Sequence, residues 1–209
     1  MVGATGVICF NEAISCDSVT QEFETDMAAR IEPLLTIADL DSMPEDGNRY
    51  EIIEGELFVS RAPSLTHQQI VFRFMLALGN YLEQNPIGKV WPGPGVIFSD
   101  FSGVIPDIIY ISNERLEKIA SGDRVAGAPD LIIEILSPGA ENERRDRQAK
   151  RQLYGKYGVK KYWIVDSQKT TIQIYRSAKL RLAATLTKRD KLMSPLLPGF
   201  SCRVRDVFQ

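Results

Sequence analysis

The chain has 209 residues, 44% apolar and 25% charged, with 15 Gly and 11 Pro, a composition that excludes collagen, coiled coil and wholesale disorder and predicts one sizeable core. Its formal net charge of −2 conceals an asymmetry: residues 1–143 carry 8 basic against 23 acidic side chains, and residues 144–209 carry 17 against 4. Either the second half faces something anionic, or the halves neutralise one another across the fold.

Residues 1–31 mix Gly, Ser, Thr and acids without periodicity and are expected to form a flexible arm ahead of a domain over 32–209. Thr36-Ile-Ala-Asp39 has the form of a capping box, predicting a short helix that ends before Pro44. YEIIEGELFVS places two apolar-rich arms around Glu54-Gly55 and predicts a β-hairpin at 50–60. Thr66-His-Gln-Gln69 then opens a long amphipathic helix with Ile70, Val71, Phe74, Leu78, Tyr81 and Leu82 on one stripe, closing near Asn85-Pro86. Strands are predicted at 95–99, 107–111, 130–136, 161–166, 171–176 and about 180–186, interrupted by helices over about 113–120 and 142–157. In the second of these helices Ala149, Leu153 and Tyr157 recur every four residues, and Gly158 supplies the stop. The strands at 130–136 and 161–166, joined by this helical crossover, are expected to be parallel neighbours in a mixed sheet flanked by helices, an α/β (α+β) architecture.

Three cysteines, at 9, 16 and 202, neither pair evenly nor show metal-ligand spacing, which fits a reducing compartment. The first ten residues contain no Lys or Arg, and no apolar run approaches the roughly 18 residues of a membrane span, so a cytoplasmic protein with no membrane partner is expected. A single histidine removes any His-rich zinc site, leaving carboxylates, lysines, hydroxyls or a cofactor to carry chemistry.

Glu134 is the most telling residue, because LIIEIL sets a carboxylate inside an otherwise apolar strand. Burying it ionised costs several kcal/mol unless a cation or several donors compensate, so either a functional site, an ion pair with a nearby Arg or Lys, or an edge position facing water holds it there. Asp107 heads its own strand after Pro106, and Asp130 follows Pro129 in the same manner. Period-two alternation puts Asp130, Ile132, Glu134 and Leu136 on one face, making Asp130 a possible third acid. Two carboxylates on neighbouring strands suit a hard cation such as Mg²⁺, with Mn²⁺ as a workable substitute. Lys150 flanks the inward stripe of the next helix and is a candidate to orient the attacking water, unless it is a solvated lysine or pairs with Asp146 at i and i+4. Arg144, Arg145, Arg147 and Arg151 make that helix the densest basic region, suited to a polyphosphate or simply a solvated face. His67 and Glu51 are further candidates, with capping or exposure as their alternatives.

The order IPDIIYI, APDLIIEILSP, Asp146-Arg-Gln-Ala-Lys150 with Leu153-Tyr154, and Tyr157-Gly-Val-Lys-Lys-Tyr-Trp-Ile-Val-Asp166 resembles the Uma-type endonuclease family of the restriction-endonuclease-like, PD-(D/E)XK, superfamily. With YEIIEGEL, His67 and the closing LPGFSCRVRDVF, the resemblance covers about residues 36–208. It implies that Asp107 matches the Asp of the PD motif and Glu134 the acid of (D/E)XK, both binding Mg²⁺. Leu136 stands where the motif has Lys, and the resemblance implies that Lys150 takes over from the adjoining helix. The expected activity is metal-dependent phosphodiester hydrolysis of nucleic acid, with DNA the expected polymer and a homodimer expected because cutting two strands favours two sites. The competing expectations are a non-catalytic nucleic-acid-binding or assembly module and a phosphohydrolase for small nucleotides.

Overall fold

The computed structural model describes residues 34–209; the arm expected over 1–31 lies outside them. Thr36 and Asp39 close the expected box: the Thr36 N–H and hydroxyl both donate to Asp39 Oδ2, at 2.7 and 2.9 Å, and the following turn Ile37–Ser42 is a 3₁₀ helix. Strands β1 (Arg49–Ile53) and β2 (Glu56–Ser60) form the predicted hairpin, pairing Ile53 with Glu56. Its two-residue turn holds Glu54 at φ 52° and Gly55 at φ 84°, the positive pair that this tight connection demands. Gly55 is doubly required, because a Cβ there would meet Leu34 Cδ2 at 2.7 Å.

Helix α1 (Leu65–Gln84) starts two residues earlier than predicted, since Ser64 and not Thr66 is the N-cap and accepts from the His67 N–H at 3.2 Å. It buries His67, Ile70, Val71, Phe74, Leu78 and Leu82. Then follow β3 (Gly88–Pro92), β4 (Val96–Ser99), β5 (Ser102–Val104), β6 (Ile108–Ser112), helix α2 (Asn113–Ile119), β7 (Ala120–Ser121), β8 (Arg124–Ala126) and β9 (Leu131–Ile135). A long helix, α3, joins β9 to β10 (Lys161–Asp166) and comprises Ala140–Arg144, a π turn Arg145–Lys150, and Arg151–Lys156. Gly158 stops it as predicted, with φ +82°, the Gly158 N–H donating to the Gly155 carbonyl at 3.3 Å and the Val159 N–H to that of Tyr154 at 3.0 Å. The chain closes with β11 (Thr171–Arg176), β12 (Arg181–Leu186), β13 (Lys191–Ser194), β14 (Leu197–Arg203) and the short helix α4 (Val204–Val207).

The central sheet has the order β12-β11-β10-β9-β6-β3, with β9 and β10 parallel as expected and Glu134 opposite Ile164. Alternation along β9 and β10 builds two cores. Leu131, Ile133, Ile135, Trp163 and Val165 face Ile70, Phe74 and Leu78 of α1 and the β13–β14 hairpin. Ile132, Leu136, Tyr162 and Ile164 face Leu153 and Tyr154 of α3 and residues of a second sheet. That second sheet, β2-β1-β5-β4-β8-β7, is the main addition to the single mixed sheet expected. Its members β5, β7 and β8 are only two or three residues long, too short for period-two alternation to register. Among the described residues no helix is long and apolar enough to cross a membrane.

Candidate active site

Glu134 points into the second core, on the same face of β9 as Ile132 and Leu136, and is 3% exposed. Its Oε1 accepts from Lys150 Nζ at 3.0 Å and from the Tyr154 hydroxyl at 2.8 Å. The ion pair considered for this strand acid is therefore present, and its cation is the lysine singled out for chemistry. Asp107 is 7% exposed just before β6, and its Oδ2 accepts from the Ile135 N–H at 2.8 Å, fastening it to the residue beside Glu134. His67 Nε2 lies 3.0 Å from the same oxygen, and Arg49 Nη1 lies 3.3 Å from Oδ1. Glu51, on β1, is 2% exposed, accepts from the Ile105 N–H at 2.8 Å and lies 2.8 Å from Lys150 Nζ. Side chains from β1, α1, the start of β6, β9 and α3 thus converge on one cavity of about 30 Å³. That volume admits about two water-sized occupants.

The π turn explains how a basic helix delivers its ammonium inward. Widening the helix from i→i+4 to i→i+5 bonding brings residues five apart toward one side, so Arg145, Asp146 and Lys150 are all buried. Lys150, 1% exposed, is an inward residue and does not merely flank the stripe; Ala149, expected inside, is only partly buried. Asp146 lies 3.9 Å from Lys150 and accepts from Arg145 Nε at 2.9 Å, so the pair weighed as a surface contact sits in the interior.

Four carboxylates gathered around so few cations set the electrostatics. Burial, opposed by Lys150 and reinforced by Asp107, Asp146 and Glu51, pushes Glu134 from 4.5 up to about 8. Burial also acts against Asp107, but the contact with His67 and the Ile135 N–H outweigh it and hold this acid below its usual value. Lys150 is raised despite its own burial, because Glu134, Glu51 and Asp146 surround it. The cluster thus pairs one acid held ionised with another poised near neutrality, a pattern concentrated at functional sites.

Asp130 is not brought into this cluster. It precedes β9 at the other end of the strand, where its carboxylate accepts from the Ser112 N–H and hydroxyl, both at 2.8 Å, and pairs with Arg115 at 3.3 Å and Lys160 at 2.6 Å. The basic stripe also departs from expectation. Arg145 is buried against Asp146; Arg147 pairs with Asp166 and Glu143, both at 3.1 Å, and with Gln173; Arg151 donates to the carbonyls of Arg147 and Leu180 and lies over the Tyr175 ring. Arg144 alone of the four is largely exposed, 3.3 Å from Glu56. With Lys156 on Glu54 and Lys150 on Glu51, both at 2.8 Å, the Arg144–Glu56 and Arg147–Glu143 pairs cross between the two halves, whereas Arg145–Asp146 and Arg147–Asp166 lie within the second.

Arg49, Arg61 and Tyr154 belong to the site but were not among the predicted site residues. Tyr154 was legible in principle, since i and i+4 place it on the Lys150 face of α3. Arg49 reaches Asp107 across 58 residues, and no local pattern marks it.

The family model described as "Uma2: Putative restriction endonuclease" matches residues 37–205. This chain belongs to that family. The match spans nearly the same stretch as the resemblance carried by the motifs. A solved structure, described as a putative nuclease belonging to DUF820 from Anabaena variabilis, is similar over 83% of this chain and 97% of its own, with 21% identity and a TM-score of 0.66. This likeness supports the fold: a mixed α/β architecture with an N-terminal hairpin followed by a helix. No curated protein matches the chain.

Proposed function

We propose that this Uma2-family chain is a metal-dependent phosphodiesterase that cuts nucleic acid, with DNA as its polymer, acting in the cytoplasm as a homodimer through one nuclease domain over 32–209. The observation that carries the proposal is the convergence of Asp107, Glu134 and Lys150 on one small polar cavity. The donor set fits a hard cation. Among the described residues no group of three or more His, Cys, Asp or Glu is placed to hold a metal ion, so a cation here would rest on the two carboxylates. Two carboxylates are as many as Mg²⁺ commonly takes from a protein before completing its shell with water and phosphate oxygens.

Asp107 and Glu134 would hold the ion, which when bound screens phosphate charge and acidifies water. The chain's own groups set up the rest. The Ile135 N–H and His67 fix the Asp107 carboxylate, while Tyr154 and Lys150 fix Glu134 from the helix side. Lys150, fully enclosed by acids, stays protonated and offers its ammonium to the attacking water and the developing charge on phosphate. Arg61, exposed on the cavity rim, and Arg49 supply the remaining positive charge for the strand. Incubation of the full chain with circular single- and double-stranded DNA in Mg²⁺ or Mn²⁺ tests this. Cleavage abolished by Glu134→Gln, Asp107→Asn and Lys150→Ala supports the reading; binding without cleavage across metals and polymers overturns it.

A further inference from the structure

A groove of about 390 Å³ adjoins the acid cavity and is not used by the hydrolytic chemistry above. Arg49 and Ile105 line both spaces, so the residue whose guanidinium meets Asp107 also borders the groove. A second link runs through the loop after β3, where the Gly93 N–H donates to the Asp107 carbonyl at 3.0 Å and Gly93 and Gly95 form part of the groove. Its lining combines the apolar side chains of Ile37, Leu40 and Ile97 with Asp41, Glu45, Asn48 and Arg124, which offer donors and acceptors. The volume lies within the roughly 300–1,000 Å³ of small-molecule pockets, and a mainly apolar lining with a few polar groups is typical of them. An aromatic base, with two apolar faces and a hydrogen-bonding edge, matches that lining, and its phosphate would lie toward Arg49, which lines both spaces.

We propose that this groove receives one unstacked nucleobase of the bound strand, so that the substrate is nucleic acid with an unpaired nucleotide beside the bond to be cut. The inference rests on the nuclease reading above. Base stacking and insertion of this kind change affinity by about tenfold or more per base. Gly95 offers a direct probe, because a Cβ there meets only Arg124 Cγ, at 3.8 Å, and a larger side chain would fill the groove without touching the acids.

The full chain, kept in chelator, is titrated with thymidine and deoxyadenosine monophosphates and with inorganic phosphate. The nucleotides are expected to bind about tenfold or more tightly than phosphate, and Gly95→Leu to erase that margin. Crosslinking of the unmodified chain to a single strand carrying 5-iodouracil needs no variant and is expected to label Met43 or Tyr50, which line the groove. Equal binding of phosphate and nucleotide, or labelling confined to other segments, overturns the inference. Failures remain separable. A chain that cuts DNA in Mg²⁺ with no loss when the neighbouring nucleotide is abasic sinks the groove alone, whereas nucleotide held in the groove by a chain that cuts nothing supports the groove and sinks the nuclease reading.

Discussion

Glu134→Gln should stabilise the metal-free protein, and by an amount that grows with pH. Glutamine keeps the shape and an oxygen to accept from Tyr154 and Lys150, but carries no charge into the core. Displacement of the acid from 4.5 to about 8 corresponds to roughly 5 kcal/mol of cost at full ionisation, at about 1.4 kcal/mol per tenfold. The sign follows from linkage: the unfolded chain releases this proton above about pH 4.5 while the folded chain keeps it until about pH 8, so folding stability falls across that window. The cost is about 1 kcal/mol at pH 5, about 3 at pH 7 and about 5 at pH 9. Any fixed loss from weakening the Lys150 contact shifts both ends equally, so the observable is the slope. Urea unfolding in chelator, followed by fluorescence of the fully buried Trp163, should show the variant gaining roughly 4 kcal/mol on the parent between pH 5 and pH 9. A gap that is constant or narrows over that range would mean that Lys150 fully offsets the burial of Glu134 and would refute the reasoning.

The same acid predicts that uptake of Mg²⁺ or Mn²⁺ at pH 7 releases about one proton, measurable as a buffer-dependent heat in calorimetry; no dependence on buffer would contradict it. Lys150→Ala, which strands the Glu51 carboxylate and removes the donor that Glu134 shares, should cost about 3–5 kcal/mol in denaturant unfolding near neutral pH. Asp130 is held below its ordinary value: burial opposes this, but Lys160 and the Ser112 donors prevail. Asp130→Asn should therefore lose about 1–3 kcal/mol near neutrality, and its deficit should fade as pH falls from about 4 through the lowered value and the parent loses the same contacts. Gly158→Ala, forced to φ +82°, should lower stability by about 1 kcal/mol with the helix otherwise intact by circular dichroism.

Much of this protein is written in local pattern. The turn at Glu54-Gly55, the apolar stripe of α1, five of the six strands of the central sheet and the stop at Gly158 follow from periods of two and 3.6 and from backbone freedom, all properties of a few consecutive residues, whereas β3 at the sheet edge was not among the predicted strands. The anomaly of Glu134 is also local, since a charge inside LIIEIL is visible without coordinates. What charges meet is not. The meeting of Lys150 with Glu51 and Glu134, the removal of Asp130 to its own ion-pair cluster, and the use of Arg147 and Arg151 as internal partners all depend on residues far along the chain. A basic run on a helix has the same sequence whether water, phosphate or the protein's own carboxylates lie opposite. Only the packing of α3 against β1 and β9 decides that, because Coulomb energy depends on distance and burial in space and not on separation along the chain.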